Sequence, residues 1–485
     1  MKRREFLKKG LGGWAGLQFC GSRWHCRAST PVPTRRPNII FILADDLGYG
    51  DLGCYGQRKI RTPHLDGMAV EGMRFTEHYS GSSVCQPARC SLMTGRHTGH
   101  ATIRENSVRP LAHDDVTIAQ VLQRAGYRTG LVGKWGLGEE GSRSTPDKAG
   151  FDFWCGFLNQ GVAHFYYAPW IWRNGEKIQI PENANGGTGL YVHDLFTREA
   201  LSFIEENRSR PFFLYLAYTI PHAEMAVPED SLREYRGTFP ERPKKEAGGG
   251  GGGYGTGLPG YCAQATPNAC YAAMVSRMDR DIKKIVDALK KHGLDEDTLV
   301  VFTSDNGPSG EGGNSMAFFD SNGPLRAQKA SLYEGGLRVP LIARWPGTIR
   351  PGSVSKHISA FWDFYPTFVE LAGAAVSERS DGISLAPMLR GDRAAQQKHE
   401  FLYWELGRKR AQAVRMGQWK GLRFLEEDRF ELYNLEEDIG ETNDLSQEYP
   451  QVAAAIVRAM DSAHTPSTLF PLPRERTERK PGTEK

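Results

Sequence analysis

The stretch Asn38-Ile-Ile-Phe-Ile-Leu-Ala44, which runs directly into Asp45-Asp46, decides the fold class of this 485-residue chain. A continuous apolar run rich in isoleucine is typical of a strand that is buried on both faces in a parallel sheet. Two later runs have the same character, and each also ends at polar residues: Phe212 to Tyr218, before Pro221-His222, and Leu299 to Thr303, before Ser304-Asp305-Asn306-Gly307.

Helical patterns separate these runs. Apolar residues recur at spacings of three and four within Thr117 to Ala125, Phe196 to Glu206 and Met274 to Leu289. Strands that alternate with helices predict an α/β fold, with a large doubly wound, mostly parallel sheet sandwiched by helices and a site at the carboxyl ends of its strands. From Ala411 onward, short alternating runs predict a smaller C-terminal antiparallel sheet domain.

The patterns divide the chain into three segments. We expect residues 1–36 to be an export leader and linker, residues 37–375 to form the main α/β domain, and residues 376–485 to form a small C-terminal α+β subdomain with a disordered tail from Arg474. The glycine run Gly248 to Gly253 has the composition of a flexible surface loop.

The N-terminus has the features of an export signal. Arg3-Arg4-Glu5-Phe6-Leu7-Lys8 looks like a bacterial twin-arginine signal, and the weakly apolar stretch after it is too short to span a bilayer. We therefore expect the twin-arginine machinery to deliver the folded protein to the periplasm. A basic N-terminal helix is the alternative, and lipidation at Cys20 stays open.

Charge argues against a nucleic-acid partner. The net charge of +4 is accounted for by the first ten residues, in which five lysines and arginines stand against Glu5. The rest of the chain is therefore balanced and lacks the basic surplus of a nucleic-acid binder.

The eight cysteines suggest one disulfide. Cys262 and Cys270 are close enough along the chain to form a bridge in an oxidising compartment. Cys54, Cys90 and Cys155 have no evident partner and are expected to be buried thiols. No pair of cysteines has the CxxC spacing of a zinc site.

The segment Ser82 to Gly95 carries a cysteine at the start of a predicted helix. Pro87 suits a first helical turn and Gly95 suits a C-cap, so Cys85 is expected just before the helix N-terminus. Free backbone N–H groups at such a terminus favour an anion. Arg89 follows one helical turn after Cys85. The alternative is a structural cysteine in a helix cap.

Two polar pairs at strand ends suggest a metal site. Asp45 and Asp46 follow one buried strand, and Asp305 and Asn306 follow another. Three carboxylates and an amide that converge on one point would repel one another without a cation, and hard oxygen ligands suit Ca²⁺ or Mg²⁺. Helix capping or Asx turns are the alternative for either pair alone.

Five ordered motifs resemble the formylglycine-dependent type I sulfatase family, which is arylsulfatase-like and belongs to the alkaline phosphatase superfamily. The resemblance covers nearly the whole chain after the leader and rests on Pro37 to Asp51, the C-x-P-x-R pattern of Cys85 to Arg89, Gly133-Lys134-Trp135, Ser304 to Gly307, and Lys329 to Pro340.

The resemblance implies a sulfuric ester hydrolase that binds Ca²⁺ and carries formylglycine, made from Cys85 by a maturation enzyme. Asp45, Asp46, Asp305, Asn306 and the modified residue 85 would hold the ion. One hydroxyl of the hydrated formylglycine, made acidic by the metal and Arg89, would attack sulfur and displace the alcohol. The sulfated diol would then expel sulfate and regenerate the aldehyde.

The resemblance also implies roles for three further residues. Lys134, Lys329 and His222 would neutralise the sulfate oxygens, and protonated His222 could give its proton to the leaving oxygen. One position departs from the family: Gly136 stands where the pattern G-K-W-H-L-G has a histidine. His164 is the candidate replacement, and a histidine packed in an aromatic cluster is the alternative reading of it.

A sulfated carbohydrate is the favoured substrate, because the aromatic segment Phe165 to Trp172 suits the face of a sugar ring. Two other functions stay open. A phosphodiesterase or phosphonate monoester hydrolase of the same superfamily would share the metal pairs, and a catalytically impaired sulfated-glycan binding protein would explain Gly136.

Overall fold

The computed structural model describes residues 36–245, 260–375 and 380–473. The predicted leader with Cys20 and Cys26, the run Gly248 to Gly253 and the tail from Arg474 lie outside the described residues. No helix among the described residues has the length and apolar character needed to cross a membrane. The chain from Arg36 onward groups into one compact unit. The boundary between residues 375 and 376 stays a prediction.

Sixteen strands and eleven α-helices make up the described part. The strands are β1 Asn38–Ala44, β2 Met73–Phe75, β3 His78–Tyr79, β4 Arg128–Lys134, β5 Phe153–Phe157, β6 Trp170–Arg173, β7 Glu176–Gln179, β8 Phe212–Ala217, β9 Thr298–Ser304, β10 Leu341–Arg344, β11 Ser353–Ser355, β12 Ser359–Ala360, β13 Leu402–Leu406, β14 Ala411–Met416, β15 Trp419–Phe424 and β16 Arg429–Asn434. The helices are α1 Pro63–Glu71, α2 Cys85–Thr94, α3 Ile118–Arg124, α4 Val192–Glu206, α5 Glu229–Leu232, α6 Pro267–Lys291, α7 Met316–Phe319, α8 Glu334–Leu337, α9 Phe364–Leu371, α10 Ala386–Leu389 and α11 Pro450–Ala463.

A ten-stranded sheet organises the molecule, in the order β11-β2-β10-β9-β1-β8-β4-β5-β6-β7. Its centre, from β9 to β5, is parallel throughout. Strands β10, β6 and β7 pair antiparallel with their neighbours towards the two edges. The predicted doubly wound, mostly parallel sheet is confirmed.

Strand β1 shows why both faces of this sheet are covered. Ile40 and Ile42 belong to one hydrophobic cluster, whereas Ile39, Phe41 and Leu43 belong to a second. Side chains alternate between faces along a strand, so an unbroken apolar run requires an apolar layer on each side. Helices α1, α4 and α6 pack together on one side of the fold, and α2, α3 and α9 pack together elsewhere.

The helix predicted over Thr117 to Ala125 forms as α3, and its start has a physical cause. Thr117 is the N-cap: its hydroxyl accepts a hydrogen bond from the Gln120 N–H, and the Gln120 side chain accepts one from the Thr117 N–H. This reciprocal pair is a capping box, which satisfies two backbone donors that a helix end otherwise leaves unpaired.

The C-terminal sheet has four antiparallel strands in the order β13-β14-β15-β16, as predicted in type. Strand β13 precedes the predicted start of this sheet at Ala411. All five of its residues are buried, so it lacks the alternation of a half-exposed strand on which the prediction relied.

The predicted disulfide between Cys262 and Cys270 is wrong, since all six described cysteines are free thiols. Cys262 directs its Sγ atom to the Met225 carbonyl oxygen at 3.7 Å, and the Cys270 Sγ atom lies 4.0 Å from the Met274 Sδ atom. Helix α6 begins between the two cysteines and gives their side chains different neighbours. Cys90 and Cys155 are buried as predicted, whereas Cys54 is half-buried.

A buried group of charges joins the small sheet to helix α8. The Lys420 Nζ atom of β15 lies 2.9 Å from Glu334 Oε1 and 3.0 Å from Glu441 Oε1, and all three side chains are shielded from solvent. Glu334 also accepts a hydrogen bond from Arg338 at 2.6 Å. Burial raises the pKa of Glu441 to about 7, against the opposing effect of Lys420.

Replacing Lys420 by methionine tests how much this group stabilises the fold. The substitution leaves the buried Glu441 carboxylate without a cation, so we expect the free energy of unfolding to fall by about 3–5 kcal/mol. Urea denaturation measures the change. Lys291→Met, at an exposed position of α6, is the matched control and should change stability by about 0.5 kcal/mol or less. Equal effects of the two substitutions would contradict the argument.

Candidate active site

Sheet order explains how distant polar residues come together. Asp45 and Asp46 follow β1, Asp305 and Asn306 follow β9, and the register pairs Ala44 with Ser304, the last residue of each strand. The Asp305 N–H donates to the Ala44 carbonyl oxygen at 3.1 Å, and the Asp46 N–H donates to Asp305 Oδ1 at 3.1 Å. Because these strands are parallel neighbours, their carboxyl ends meet at one point.

Cys85 is brought to the same point by α2. Cys85 was predicted to lie just before the helix, but the helix begins at Cys85 itself. Gly95 is its C-cap, with a left-handed φ angle of 69°. The Cys85 Sγ atom lies 3.4 Å from Asp45 Oδ1 and 3.8 Å from Asp46 Oδ1, and the residue is only 1% exposed. Sγ stands where a formylglycine oxygen would stand.

Three cations face the three carboxylates. The Arg89 Nη2 atom lies 2.8 Å from Asp305 Oδ2, and the Lys134 Nζ atom lies 2.7 Å from Asp45 Oδ2. The Lys329 Nζ atom lies 2.6 Å from Asp46 Oδ2. The positive charges of these three side chains therefore balance the negative charges of the three carboxylates without any ligand.

Burial and charge act against each other on these carboxyl groups. Burial alone would raise the pKa of Asp45, but Lys134, His222 and Arg89 outweigh it and hold that pKa well below its usual range. Burial, with the Asp45 charge adding to it, raises the pKa of Asp305 to about 6 despite Arg89 and Lys134.

The residues present fit a hard divalent cation. Asn306 is fully buried, and its Oδ1 atom has no hydrogen-bond partner among the described residues, whereas its Nδ2 group donates to Asp46 Oδ1 at 2.7 Å. Ligand atoms of Asp45, Asp46, Cys85 and His222 lie within 4.8 Å of one another. An unpaired buried amide oxygen beside carboxylate oxygens is the donor set that calcium prefers.

His164 also lies in this cluster. Its Nε2 atom is 3.4 Å from Lys134 Nζ and its Nδ1 atom is 3.0 Å from the Tyr261 hydroxyl. An ammonium group can only donate, so Nε2 accepts and Nδ1 carries the hydrogen that Tyr261 accepts. Burial, with His222 and Lys134 adding to it, holds the pKa of His164 well below its usual range.

His222 stacks on His164, with ring centroids 3.7 Å apart and planes 18° apart. The His222 Nε2 atom lies 3.0 Å from Lys329 Nζ and 3.3 Å from Asp46 Oδ2. It can therefore accept from the lysine when neutral and donate to the aspartate when protonated. Burial lowers the pKa of His222, and Asp46 opposes this effect.

All predicted site residues are therefore brought together, and the sequence reasoning missed one neighbour, Tyr261. It is 2% exposed, and it meets His164 across almost 100 positions of the chain. No motif surrounds Tyr261, so the sequence offered no signal for it.

The predicted sugar-stacking role of Phe165 to Trp172 is wrong for the first half of that segment. Phe165 is 7% exposed and Tyr166 is 0% exposed, so neither ring has a free face. The Tyr166 hydroxyl donates to the Thr219 carbonyl oxygen at 2.9 Å. The half-buried Trp170 ring has Lys177 Nζ 4.3 Å from its centroid. Phe165 and Tyr166 therefore belong to the core rather than to a sugar platform.

Gly136 has a backbone that explains the departure seen in the sequence. Its φ angle is 72°, and a Cβ atom there would lie 3.1 Å from the Gln160 Cγ atom. A side chain at this position would meet Gln160, and left-handed backbone disfavours any residue but glycine. His164, one of the two histidines in the cluster, lies at the end of the short 3-10 turn Val162–His164.

Comparison with known proteins identifies the class to which this site belongs. Residues 37–374 match the family described as Sulfatase, and residues 327–465 match the C-terminal region of N-sulphoglucosamine sulphohydrolase. The N-acetylgalactosamine-6-sulfatase of Mus musculus is 33% identical over 429 residues, which cover 81% of this chain and 72% of that protein.

Solved structures agree. The crystal structure of Ps i-CgsB in complex with k-i-k-neocarrahexaose superposes with a TM-score of 0.74 at 30% identity, covering 88% of this chain and 92% of that one. BT4656, solved in complex with D-glucosamine-2-N,6-O-disulfate, has a TM-score of 0.69 at 25% identity, covering 88% and 97%. The chain belongs to the sulfatase family. It is a sulfuric ester hydrolase with the α/β fold of that family.

Gly133 and Gly136 flank the Lys134 position and allow a matched test. Gly133 has φ 110°, and a Cβ atom there would lie 1.9 Å from the Ala217 carbonyl oxygen of β8. We expect Gly133→Ala to lower the free energy of unfolding by about 3 kcal/mol or more, because it adds both strain and a backbone clash. Gly136→Ala meets only the Gln160 side chain, so about 1–2 kcal/mol is expected. Urea denaturation that ranks Gly136→Ala as the worse change would contradict this geometry.

Proposed function

We propose that the protein releases inorganic sulfate from a sulfated carbohydrate, through formylglycine at position 85 and a bound Ca²⁺. One observation carries the proposal: the Cys85 side chain is held 3.4 Å from Asp45, inside a ring of three paired cations. A structural cysteine has no need of this setting.

The cations are placed to bind the sulfate group. Lys134 and Lys329 each hold one carboxylate of the cluster, and each ammonium has further donors that can turn to a sulfate oxygen. Arg89 is fixed on three sides, by Asp305, by Asp45 and by the Lys134 carbonyl oxygen at 2.9 Å. It therefore orients the group at position 85 rather than moving with the substrate.

The metal site adds charge that the protein alone lacks. Calcium held by Asp45, Asp46, Asp305, Asn306 and the modified residue 85 would lower the pKa of the attacking hydroxyl and neutralise a sulfate oxygen. The three carboxylates are already balanced by three cations, so an ion makes the site positive. That sign suits an anionic sulfate ester.

Proton transfer falls to the two histidines. The hydroxyl at residue 85, made acidic by the metal and Arg89, would lose its proton before the attack. Its oxygen then forms a bond to sulfur while the bond from sulfur to the sugar oxygen breaks, and the leaving oxygen takes a proton from protonated His222 Nε2. His164 Nε2 accepts from Lys134, so its lone pair faces the cluster and can take a proton. It is placed to take over the role of the histidine missing at Gly136.

The names of the relatives support a carbohydrate substrate. One relative acts on N-acetylgalactosamine 6-sulfate by name, and two solved structures hold carbohydrate ligands. The twin-arginine-like start at Arg3-Arg4 supports export to the periplasm. Because that route carries folded protein, the maturation enzyme would oxidise Cys85 in the cytoplasm first.

The proposal is tested on protein made in its native host, by mass spectrometry of the tryptic peptide from Phe75 to Arg89. We expect the mass of an aldehyde or its hydrate at position 85, and sulfate release from 4-nitrophenyl sulfate that exceeds turnover of bis(4-nitrophenyl) phosphate. Cys85→Ala is the control and should release no sulfate. An unmodified thiol in folded, exported protein would refute the nucleophile, and faster phosphodiester turnover would refute the substrate class.

His164→Ala tests the predicted replacement of the missing histidine. Because general acid–base groups contribute about 10²–10⁴-fold, we expect kcat for 4-nitrophenyl sulfate to fall by roughly 10²-fold or more, with the KM value much less affected.

Tyr261→Phe is the matched control for that change. It removes the hydroxyl that accepts from His164 Nδ1 but keeps both imidazole nitrogens in place, so a kcat loss of only about tenfold is expected. Circular dichroism and thermal unfolding should show that both variants are folded. Normal turnover by folded His164→Ala would remove His164 from the mechanism.

A further inference from the structure

A second cavity, of about 420 Å³, lies between the edge of the large sheet and the C-terminal sheet. We call it the basic pocket. Its wall combines the segment after β11, the segment before β13 and the turn between β14 and β15. Five basic residues line it, none of which belongs to the catalytic cluster: Lys356, His357, Lys398, His399 and Arg415.

Two of these residues are fully engaged by the protein. Arg415 pairs with Glu77 at 2.9 Å and donates to the Gly417 carbonyl oxygen at 2.6 Å. His399 pairs with Asp363 at 2.7 Å. These contacts are internal, so Arg415 and His399 form a fixed floor.

The other three basic residues are not engaged in this way. Lys356 and Lys398 are exposed and form no ion pair within the part of the chain that the structure describes. The Nε2 atom of His357 is buried and has no hydrogen-bond partner among the described residues. A buried polar atom that lacks a partner is uncommon and points to a group absent from the protein alone. The one exposed carboxylate in the wall is Glu436.

Another cavity provides a comparison, because the lysines that line it are paired with carboxylates. The cavity between α1 and α6 has a volume of about 300 Å³ and is also lined by basic residues. There Lys283 pairs with Asp287, Lys290 lies 3.7 Å from Glu71, and Arg344 pairs with both Glu71 and Asp295. Every lysine and arginine in that wall has its carboxylate, so it offers no site for an anion.

We propose that the basic pocket binds a sulfate group of a sulfated polysaccharide chain, separately from the sulfate that the active site cleaves. Two free ammonium groups and an unpaired imidazole nitrogen provide donors for a tetrahedral anion, and charge-assisted bonds of this kind are the stronger ones. The inference rests on the proposed function for its substrate class. It makes the preferred substrate a polymer with several sulfate groups rather than a single sulfated sugar.

Binding of dextran sulfate to full-length protein tests the inference. All proteins compared carry Cys85→Ala, so that no ester is cleaved and the result does not depend on formylglycine. We expect Lys356→Ala/Lys398→Ala to bind dextran sulfate about tenfold or more weakly, because two charge-assisted contacts are lost. Glu436→Gln should bind more tightly, since it removes the one opposing charge.

The matched control is Lys283→Ala/Lys290→Ala, which removes the same charge from the cavity where both lysines are paired. It should bind dextran sulfate within about twofold of the parent. The substitutions change only the overall charge of the protein, and this charge contributes a small, non-specific attraction to a polyanion. Uncharged dextran should not bind to any form. Equal losses in the two double variants, or no loss in either, would overturn the proposal. Failure of the wild-type protein, with Cys85 in place, to cleave any sulfate ester would refute the proposed function and leave this binding result standing.

Discussion

The structure depends on a balance of buried charges at the carboxyl ends of its central strands. Three carboxylates would be expensive to bury alone, and the desolvation of each is offset only because a cation contacts it. The closest contacts, Lys134 to Asp45 and Lys329 to Asp46, are 2.7 Å and 2.6 Å long. The same balance makes the site selective. The three cations and three carboxylates cancel, so a divalent ion bound there would make the site positive and favour an anionic ester.

Much of this could be predicted from the sequence, for a physical reason. Strands buried on both faces must be apolar along their whole length, so β1, β8 and β9 stand out without knowledge of their partners. A carboxylate directly after such a strand, like Asp45 or Asp305, must lie at the carboxyl end of the sheet, beside the ends of the neighbouring parallel strands. Local pattern and global position are therefore linked at these residues. The two polar pairs were found for this reason, whereas Lys134 was assigned to the site through the resemblance of its motif to the sulfatase family.

The features that were missed lack such a link. Tyr261 reaches His164 through tertiary packing that no local pattern announces. The disulfide prediction used only the spacing of Cys262 and Cys270, but the helix that begins between them decides where their side chains lie. The aromatic segment was expected to face a sugar because aromatic rings stack on sugar rings, but the same side chains also fill hydrophobic cores. Burial of Tyr166 decides between the two, and burial cannot be read from residue type.

Pairing state separates basic residues that stabilise the fold from those that bind ligands. Lys420, between two buried glutamates, cannot leave its partners without a large loss of stability. Lys329 is paired too, but its side chain is 14% exposed and a sulfate oxygen can compete for its donors. Lys356 forms no ion pair with any residue that the structure describes. A sulfated chain therefore meets little competition from the protein's own carboxylates in the basic pocket. In the active site, a sulfate group must compete with Asp45 and Asp46 for the cations. A divalent ion that binds these two carboxylates would leave the cations available to the sulfate group. On the proposed function, the two sites would thus differ in what each requires before an anion binds: the basic pocket would require no other ligand, whereas the active site would require a metal ion.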